Sequence, residues 1–189
     1  MSARAATSVV VPYDPEWPAL FERERARLEA ALAPWLEGGI HHIGSTSVPG
    51  LTAKPIIDML AGVRNLEEAR HAFEPLAGLG YEHSPHRPEA HRFAKRGYHL
   101  HLTEPGSDIW RERLAFRDAL RADGNLRREY TGWKLARTGT EAYVASEKRP
   151  LVLRVLGEVG IELKPDRERL SFTPDAAGHQ SATDRLEAP

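Results

Sequence analysis

The stretch IHHIGSTSVPGLTAKPIIDML, from Ile40 to Leu60, decides how the rest of the chain is read. Ile40 to Ile43 is short and β-like, and it ends at Gly44. Gly44-Ser45-Thr46-Ser47 follows at once, and Val48-Pro49-Gly50-Leu51 stops the turn. A single lysine, Lys54, precedes Pro55 to Leu60, an almost wholly apolar run that suits a strand buried on both faces. One carboxylate, Asp58, interrupts that run.

Three chemical features stand in this stretch and its surroundings. The turn Gly44 to Ser47 offers backbone N–H groups, hydroxyls and a glycine that lets a ligand approach the backbone, the usual means of holding phosphate oxygens. The required Gly-Lys-Ser/Thr of a Walker A loop is absent, and an ordinary polar turn has the same composition. Asp58 inside an apolar strand needs a partner, because a buried carboxylate is costly unless paired, hydrogen-bonded or metal-bound. A structural ion pair and a site carboxylate both meet that need. Further on, His99-Leu100-His101-Leu102 alternates, which puts both imidazoles on one face of a strand and both leucines on the other. Two such histidines with Asp58 supply the ligand types of a non-haem iron or zinc centre, or acid–base groups, or simply a solvated strand face.

Outward from this centre the pattern changes twice. Before it, Val9 to Tyr13 reads as an edge strand. Asp14-Pro15 then opens a helix carrying Trp17, Leu20, Phe21, Leu28 and Leu32, which ends near Pro34-Trp35 before a break at Gly38-Gly39. After it, Asn65 caps a helix over Leu66 to Ala77, a strand over Leu79 to His83 follows, and Ser84 to Pro88 is a loop. His91 to Lys95 and Tyr98 to Thr103 form a hairpin turning at Arg96-Gly97. From Ser107 onward helices predominate: one to about Ala122 with Ser107 as cap, one over Leu126 to Ala136, and one over Glu141 to Val159 kinked or broken at Pro150. The fold class expected from strands grouped ahead of helices is α+β, a mixed sheet flanked by helices with a C-terminal helical section. The four tryptophans, Trp17, Trp35, Trp110 and Trp133, fall at helical positions and read as core or rim.

Arg113, Arg117 and Arg121, four apart on one helical face, head a basic set with Arg127, Arg128, Lys134, Arg137, Lys148 and Arg149. The set is either a wall against anionic phosphates or a solvated face paired with Glu112 and Asp118. The whole chain carries a net charge of -1 over 189 residues and no cysteine. That excludes a global basic field for nucleic acid, a disulfide framework and a thiolate metal site. No signal-peptide core and no membrane-length apolar run is visible, so the expected location is the cytoplasm. The expected organisation is one domain over residues 1–170, with its core about 9–160, followed by a disordered tail over 171–189 and preceded by a frayed start through Ser8.

HIGSTSVPGLTAKPIIDML, YHLHL, LAFRDALR, Lys134, and Tyr143 with Lys148 together resemble the GrpB family of small bacterial proteins, over about Val9 to Val159. The same kind of domain occurs fused to dephospho-coenzyme A kinase. The resemblance implies a nucleotidyltransferase-like mixed sheet, with Gly44-Ser45 as the turn that holds a triphosphate and Asp58 as the carboxylate of the catalytic strand. It also implies ATP or another nucleoside triphosphate as substrate, and a divalent metal such as Mg or Mn, or Zn. This sequence departs from the superfamily pattern. The alternates of Asp58 are Ile56 and Leu60, and His99 and His101 stand where a third acid is usual. Two-metal chemistry needs several bridging carboxylates. One metal on Asp58, His99 and His101, or a metal-free anion site, is what these residues build.

The reading from sequence is therefore a protein that binds a nucleotide or phosphorylated small molecule, without nucleic-acid or membrane partners. Gly44, Ser45, Thr46, Ser47, Lys54, Arg117, Lys134 and Lys148 hold phosphate, and Asp58, His99 and His101 act as catalytic groups or metal ligands. Transfer of a nucleotidyl group to a small acceptor is the family-level expectation. A non-catalytic ligand-binding or interaction module is the alternative, and a metal-dependent hydrolase the third.

Overall fold

In the computed structural model, residues 10–84, 87–136 and 148–163 are described. The expected frayed start, the C-terminal tail and the segment Glu141 to Glu147 lie outside them.

In chain order the elements are α1 (Trp17–Leu32), β1 (Leu36–Ile43), a 3-10 turn (Ser45–Ser47), β2 (Ile57–Val63), a 3-10 turn (Glu68–Ala72), α2 (Phe73–Gly78), β3 (Glu82–Ser84), β4 (His91–Lys95), β5 (Tyr98–Thr103), α3 (Asp108–Ala122), α4 (Gly124–Leu135) and α5 (Arg149–Glu158). The five strands make one mixed sheet in the order β1-β2-β5-β4-β3. β2 runs parallel to β5, and the other neighbours are antiparallel. The expected α+β class holds.

The sheet separates two environments by simple alternation. Ile57, Met59, Ala61 and Val63 of β2 share one face with Leu100 and Leu102 of β5. Against them lies the apolar stripe of α1, with Trp17, Phe21, Leu28 and Leu32 buried. Leu28 and Leu32 have no exposed surface, and burying each contributes about 1.5–3 kcal/mol. The other face carries Asp58 and Leu60 of β2 and His99 and His101 of β5. There Ile43, Leu60, Ala90 and Ile109 form a small core below α3. A third core joins the helical half to the central stretch itself: Val48 and Leu51 pack on Leu120, Leu126, Tyr130 and Val155.

Boundaries differ from the expectations where glycine or proline governs them. Gly38-Gly39 does not break the chain before β1. Both glycines take positive φ, 79° and 78°, and sit within the strand, where the β1–β2 register shifts between Leu36 and Ile40. The pair forms an irregularity that only residues without a Cβ enter easily. β2 starts at Ile57 rather than Pro55, since a proline has no N–H for the ladder. The helix expected over Leu66 to Ala77 splits into a 3-10 turn and a short α2. Pro75 fits only the first turn of α2, where no intrahelical N–H is demanded. Asn65 caps as expected, its Oδ1 accepting from the N–H groups of Glu67 and Glu68. Pro150 lies in the first turn of α5 and starts that helix. Val9 to Tyr13 yields a single antiparallel bridge, Val11 with Ala53. Among the described residues no helix is long and apolar enough to cross a membrane.

Candidate functional site

The turn after β1 depends on one glycine. Gly44 has φ 70°, and a Cβ built there lies 2.5 Å from Oδ2 of Asp58. Turn backbone and carboxylate are thus pressed together, and no L side chain fits between them. Ser47 closes the turn by donating its hydroxyl to the Gly44 carbonyl at 2.6 Å. Thr46 Oγ1 donates to the Ile56 carbonyl at 3.0 Å. That fixes the tautomer of His42, whose Nε2–H must donate to Thr46 Oγ1, also at 3.0 Å. His42 stacks on Phe21, with ring centroids 4.8 Å apart. Burial, reinforced by the charge of Arg121, lowers its pKa to about 4, so the ring is neutral.

The cross-strand register sets the rest. Asp58 pairs with His99, and Leu60 with His101. His99 Nδ1 lies 2.9 Å from Asp58 Oδ1. A carboxylate only accepts, so Nδ1 carries a proton, and in the neutral tautomer so fixed the lone pair is on Nε2. Asp58 is half-buried rather than enclosed as the apolar run suggested, because its face of the sheet opens onto a cavity of about 300 Å³.

The turn and sheet form the cavity floor. α3 supplies Glu112, Arg113, Phe116 and Arg117; α4 supplies Tyr130 and Lys134; Lys148 closes the start of α5. Among the described residues, Lys54, Arg92, Arg113, Arg117, Lys134 and Lys148 bring six basic side chains to its lining, against the two carboxylates of Asp58 and Glu112. Both acids are engaged. Asp58 meets His99, and Glu112 accepts from Arg149 at 2.7 Å. Burial pushes the Glu112 carboxyl up, but Arg113, Arg149 and Arg87 outweigh it and hold the group below its ordinary range. The basic groups crowd one another. Burial lowers Lys54, with Asp58 opposing it. Burial and the neighbouring charge of Lys148 lower Lys134 to about 7. Burial and Arg113 lower Lys148 to about 8.

Nearly every residue expected from the sequence lines this one cavity: Gly44, Ser45, Thr46, Lys54, Asp58, His99, His101, Arg117, Lys134 and Lys148. Ser47 does not line it; its hydroxyl is spent inside the turn. Arg117 lines the cavity and also braces it, donating to the His42 carbonyl at 3.1 Å while pairing with Asp118. Arg121, one turn further along α3, gives both Nε and Nη2 to the Ser47 carbonyl, at 3.0 and 2.8 Å. This arginine face therefore clamps the turn to α3 and is not a freely solvated one.

Asp58, His99 and His101 share a face. Among the described residues, however, no three His, Asp or Glu side chains converge as a metal site. One carboxylate already held by His99 and pressed against Gly44 does not fit a resident two-metal centre.

Arg92, Glu112, Phe116 and Tyr130 line the cavity without being expected there from the sequence. For Arg92 a signal existed. Counting outward from the Arg96-Gly97 turn places it opposite His101, on the histidine face, as the register shows. Glu112, Phe116 and Tyr130 depend on how α3 and α4 pack, which no local pattern encodes.

A mixed sheet whose open face carries a glycine turn, an Asp–His pair and a cationic cavity defines the class of protein. The chain belongs to the GrpB family, whose model (GrpB protein) matches residues 7–157. The crystal structure of conserved protein GrpB from Enterococcus faecalis is similar at a TM-score of 0.71 and 28% identity, covering 79% of this chain and 96% of that one. The UPF0157 protein YqkA of Bacillus subtilis (strain 168) is 39% identical over 127 residues, 64% of this chain. That match spans only 37% of the Bacillus protein. A dephospho-CoA kinase of Mycolicibacterium paratuberculosis is 34% identical over 121 residues, 59% of this chain and 28% of the kinase. The kinase's length beyond that match agrees with the fused occurrence expected from the sequence.

Proposed function

We propose that the cavity binds a nucleotide or phosphorylated small molecule, with its phosphates against the Gly44–Ser45 turn and the basic wall from α3 and α5. The observation that carries this reading is the charge imbalance of one half-open cavity. Among the described residues six basic side chains line it, and the two carboxylates there are already paired. Crowding that many cations into one half-buried space is costly unless an anion joins them. Arg92 and Arg113 suit phosphate oxygens through their forked N–H groups, while Arg117, whose fork is held by Asp118 and the His42 carbonyl, adds its charge. A divalent cation belongs to this reading as a companion of the polyphosphate.

Nucleotidyl transfer to a small acceptor is a second reading, and it rests on the Asp58–His99 pair. With Nδ1–H held by Asp58, the Nε2 lone pair of His99 can take the proton of an acceptor hydroxyl as it attacks phosphorus.

Calorimetric titration of ATP, GTP and inorganic triphosphate, with and without Mg²⁺ or Mn²⁺, tests the binding. Arg113→Ala is expected to weaken it by about tenfold or more. Folded protein that binds none of the three ligands would overturn the reading. Pyrophosphate release that Asp58→Asn abolishes supports transfer. Binding without release leaves a ligand-binding module. Tight Zn²⁺ or Fe²⁺ binding with no phosphate ligand would favour the hydrolase alternative.

A further inference from the structure

Within this cavity two amines face conditions unlike those of the arginines. Lys134 is 1% exposed, yet it lines the cavity. Its Nζ donates to the Thr52 carbonyl at 2.7 Å and lies 4.4 Å from the centre of the Tyr130 ring. Lys148, at the start of α5, lines the same space. A buried lysine beside a second cation is the arrangement that makes an amine nucleophilic at neutral pH. A carbonyl oxygen accepting one N–H orients the amine without consuming its lone pair. Arginine cannot take this role, since it does not deprotonate.

We propose that Lys134 forms an imine with a phosphorylated aldehyde or ketone bound in the cavity, with Lys148 as the proton donor to the carbonyl oxygen. The step balances within the protein and ligand. The lone pair of neutral Nζ of Lys134 attacks the carbonyl carbon, the C–O π bond opens, and the oxygen takes a proton from the Lys148 ammonium. The nitrogen sheds its proton to the base so formed. The carbinolamine hydroxyl then leaves as water after protonation, and C=N forms. No oxidant, reductant or metal enters. The directions of titration agree with these roles. Burial and the charge of Lys148 lower Lys134, and burial and Arg113 lower Lys148, so both amines exchange protons closer to neutrality than an ordinary lysine does. Among the described residues, the charged groups bearing on the pair include Asp58 from β2, Glu112 and Arg113 from α3, and Arg87. The proposal rests on the phosphate-binding reading above for half of its ligand, and the test separates the two.

Pyridoxal 5′-phosphate and pyridoxal serve as probes of the intact chain. Each is incubated with it, trapped with borohydride and mapped by peptide mass spectrometry. The expected result is a single adduct on Lys134, formed faster by the phosphorylated probe and suppressed by inorganic triphosphate. Its rate should rise with pH to a midpoint above the free-protein value of about 7, because a bound phosphate favours the charged amine. Lys148→Met should slow trapping by about tenfold or more and move that midpoint to higher pH, because it removes both an acid and a neighbouring positive charge. This variant keeps the test decisive if Lys134→Met does not fold. Labelling spread over several lysines, or confined to Lys54 or Lys148, would overturn the imine proposal. So would phosphate-competed binding of the probe with no trapped adduct, which leaves the phosphate site standing. Equal labelling of Lys134 by both probes, without protection by triphosphate, sinks the phosphate reading and keeps the reactive amine.

Discussion

At the scale of single residues, the site is built from side chains that are already committed before any ligand arrives. Gly44 is the sharpest case. Its φ is 70°, and an added Cβ would sit 2.5 Å from Asp58 Oδ2, which leaves no tolerance. Gly44→Ala should destabilise the fold by about 1–3 kcal/mol and displace Asp58 from His99. Chemical denaturation reads the first effect, and loss of triphosphate affinity the second. A variant as stable as the parent that still binds would contradict the close packing. His42 gives a pH signature. Its folded pKa of about 4 lies below the ordinary 6.5, so the unfolded chain binds more protons between these values. Stability is complete above pH 6.5 and falls as the pH drops toward 4, by about 3 kcal/mol over the window. Replacing His42 by Gln, which can still donate to Thr46, should flatten that part of a stability-versus-pH curve. An unchanged slope would mean that His42 is not the group responsible.

At the scale of elements, the decisive contact is α3 against the turn. Arg121 donates twice to the Ser47 carbonyl, and Arg117 reaches the His42 carbonyl, so two residues one helical turn apart hold the backbone on either side of Gly44. Arg121→Ala should cost about 1–3 kcal/mol, the loss expected when a part-buried acceptor forfeits charged donors. Arg121→Lys should recover only part of it, because an ammonium cannot supply the fork. Urea denaturation of the two variants measures both. The sequence carries much of this element layer and stops short of its packing. The alternation in Tyr98 to Thr103, the cap at Ser107 and the glycine turn are local patterns, and each stands where the sequence puts it. The arginine spacing is visible too, but whether it faces solvent or backbone depends on where α3 docks. That docking is set by Val48 and Leu51 meeting Leu120 and Leu126, a contact between distant segments. Local periodicity specifies a face, and only tertiary packing specifies what the face meets.

At the scale of the whole molecule, a chain of net charge -1 gathers positive charge in one cavity, so its ligand affinity should respond to pH. Lys134 at about 7 and Lys148 at about 8 lose their protons between pH 7 and 9 in the free protein. An anionic ligand favours their charged forms, so binding takes up protons and raises both values. Affinity for inorganic triphosphate should therefore fall across that window, by about tenfold or more for the two charges together. Calorimetry in buffers of different ionisation enthalpy should register proton uptake of up to two per ligand bound, largest near pH 8. The sign is specific. If affinity rises with pH, or no proton is taken up, then these lysines do not face the phosphates. Added salt separates this effect from simple screening, which weakens binding at every pH and leaves the proton count above zero. Arg113→Ala offers the complementary control. It removes a charge that lowers Lys148, so the residual affinity of that variant should decline at a higher pH than the parent's.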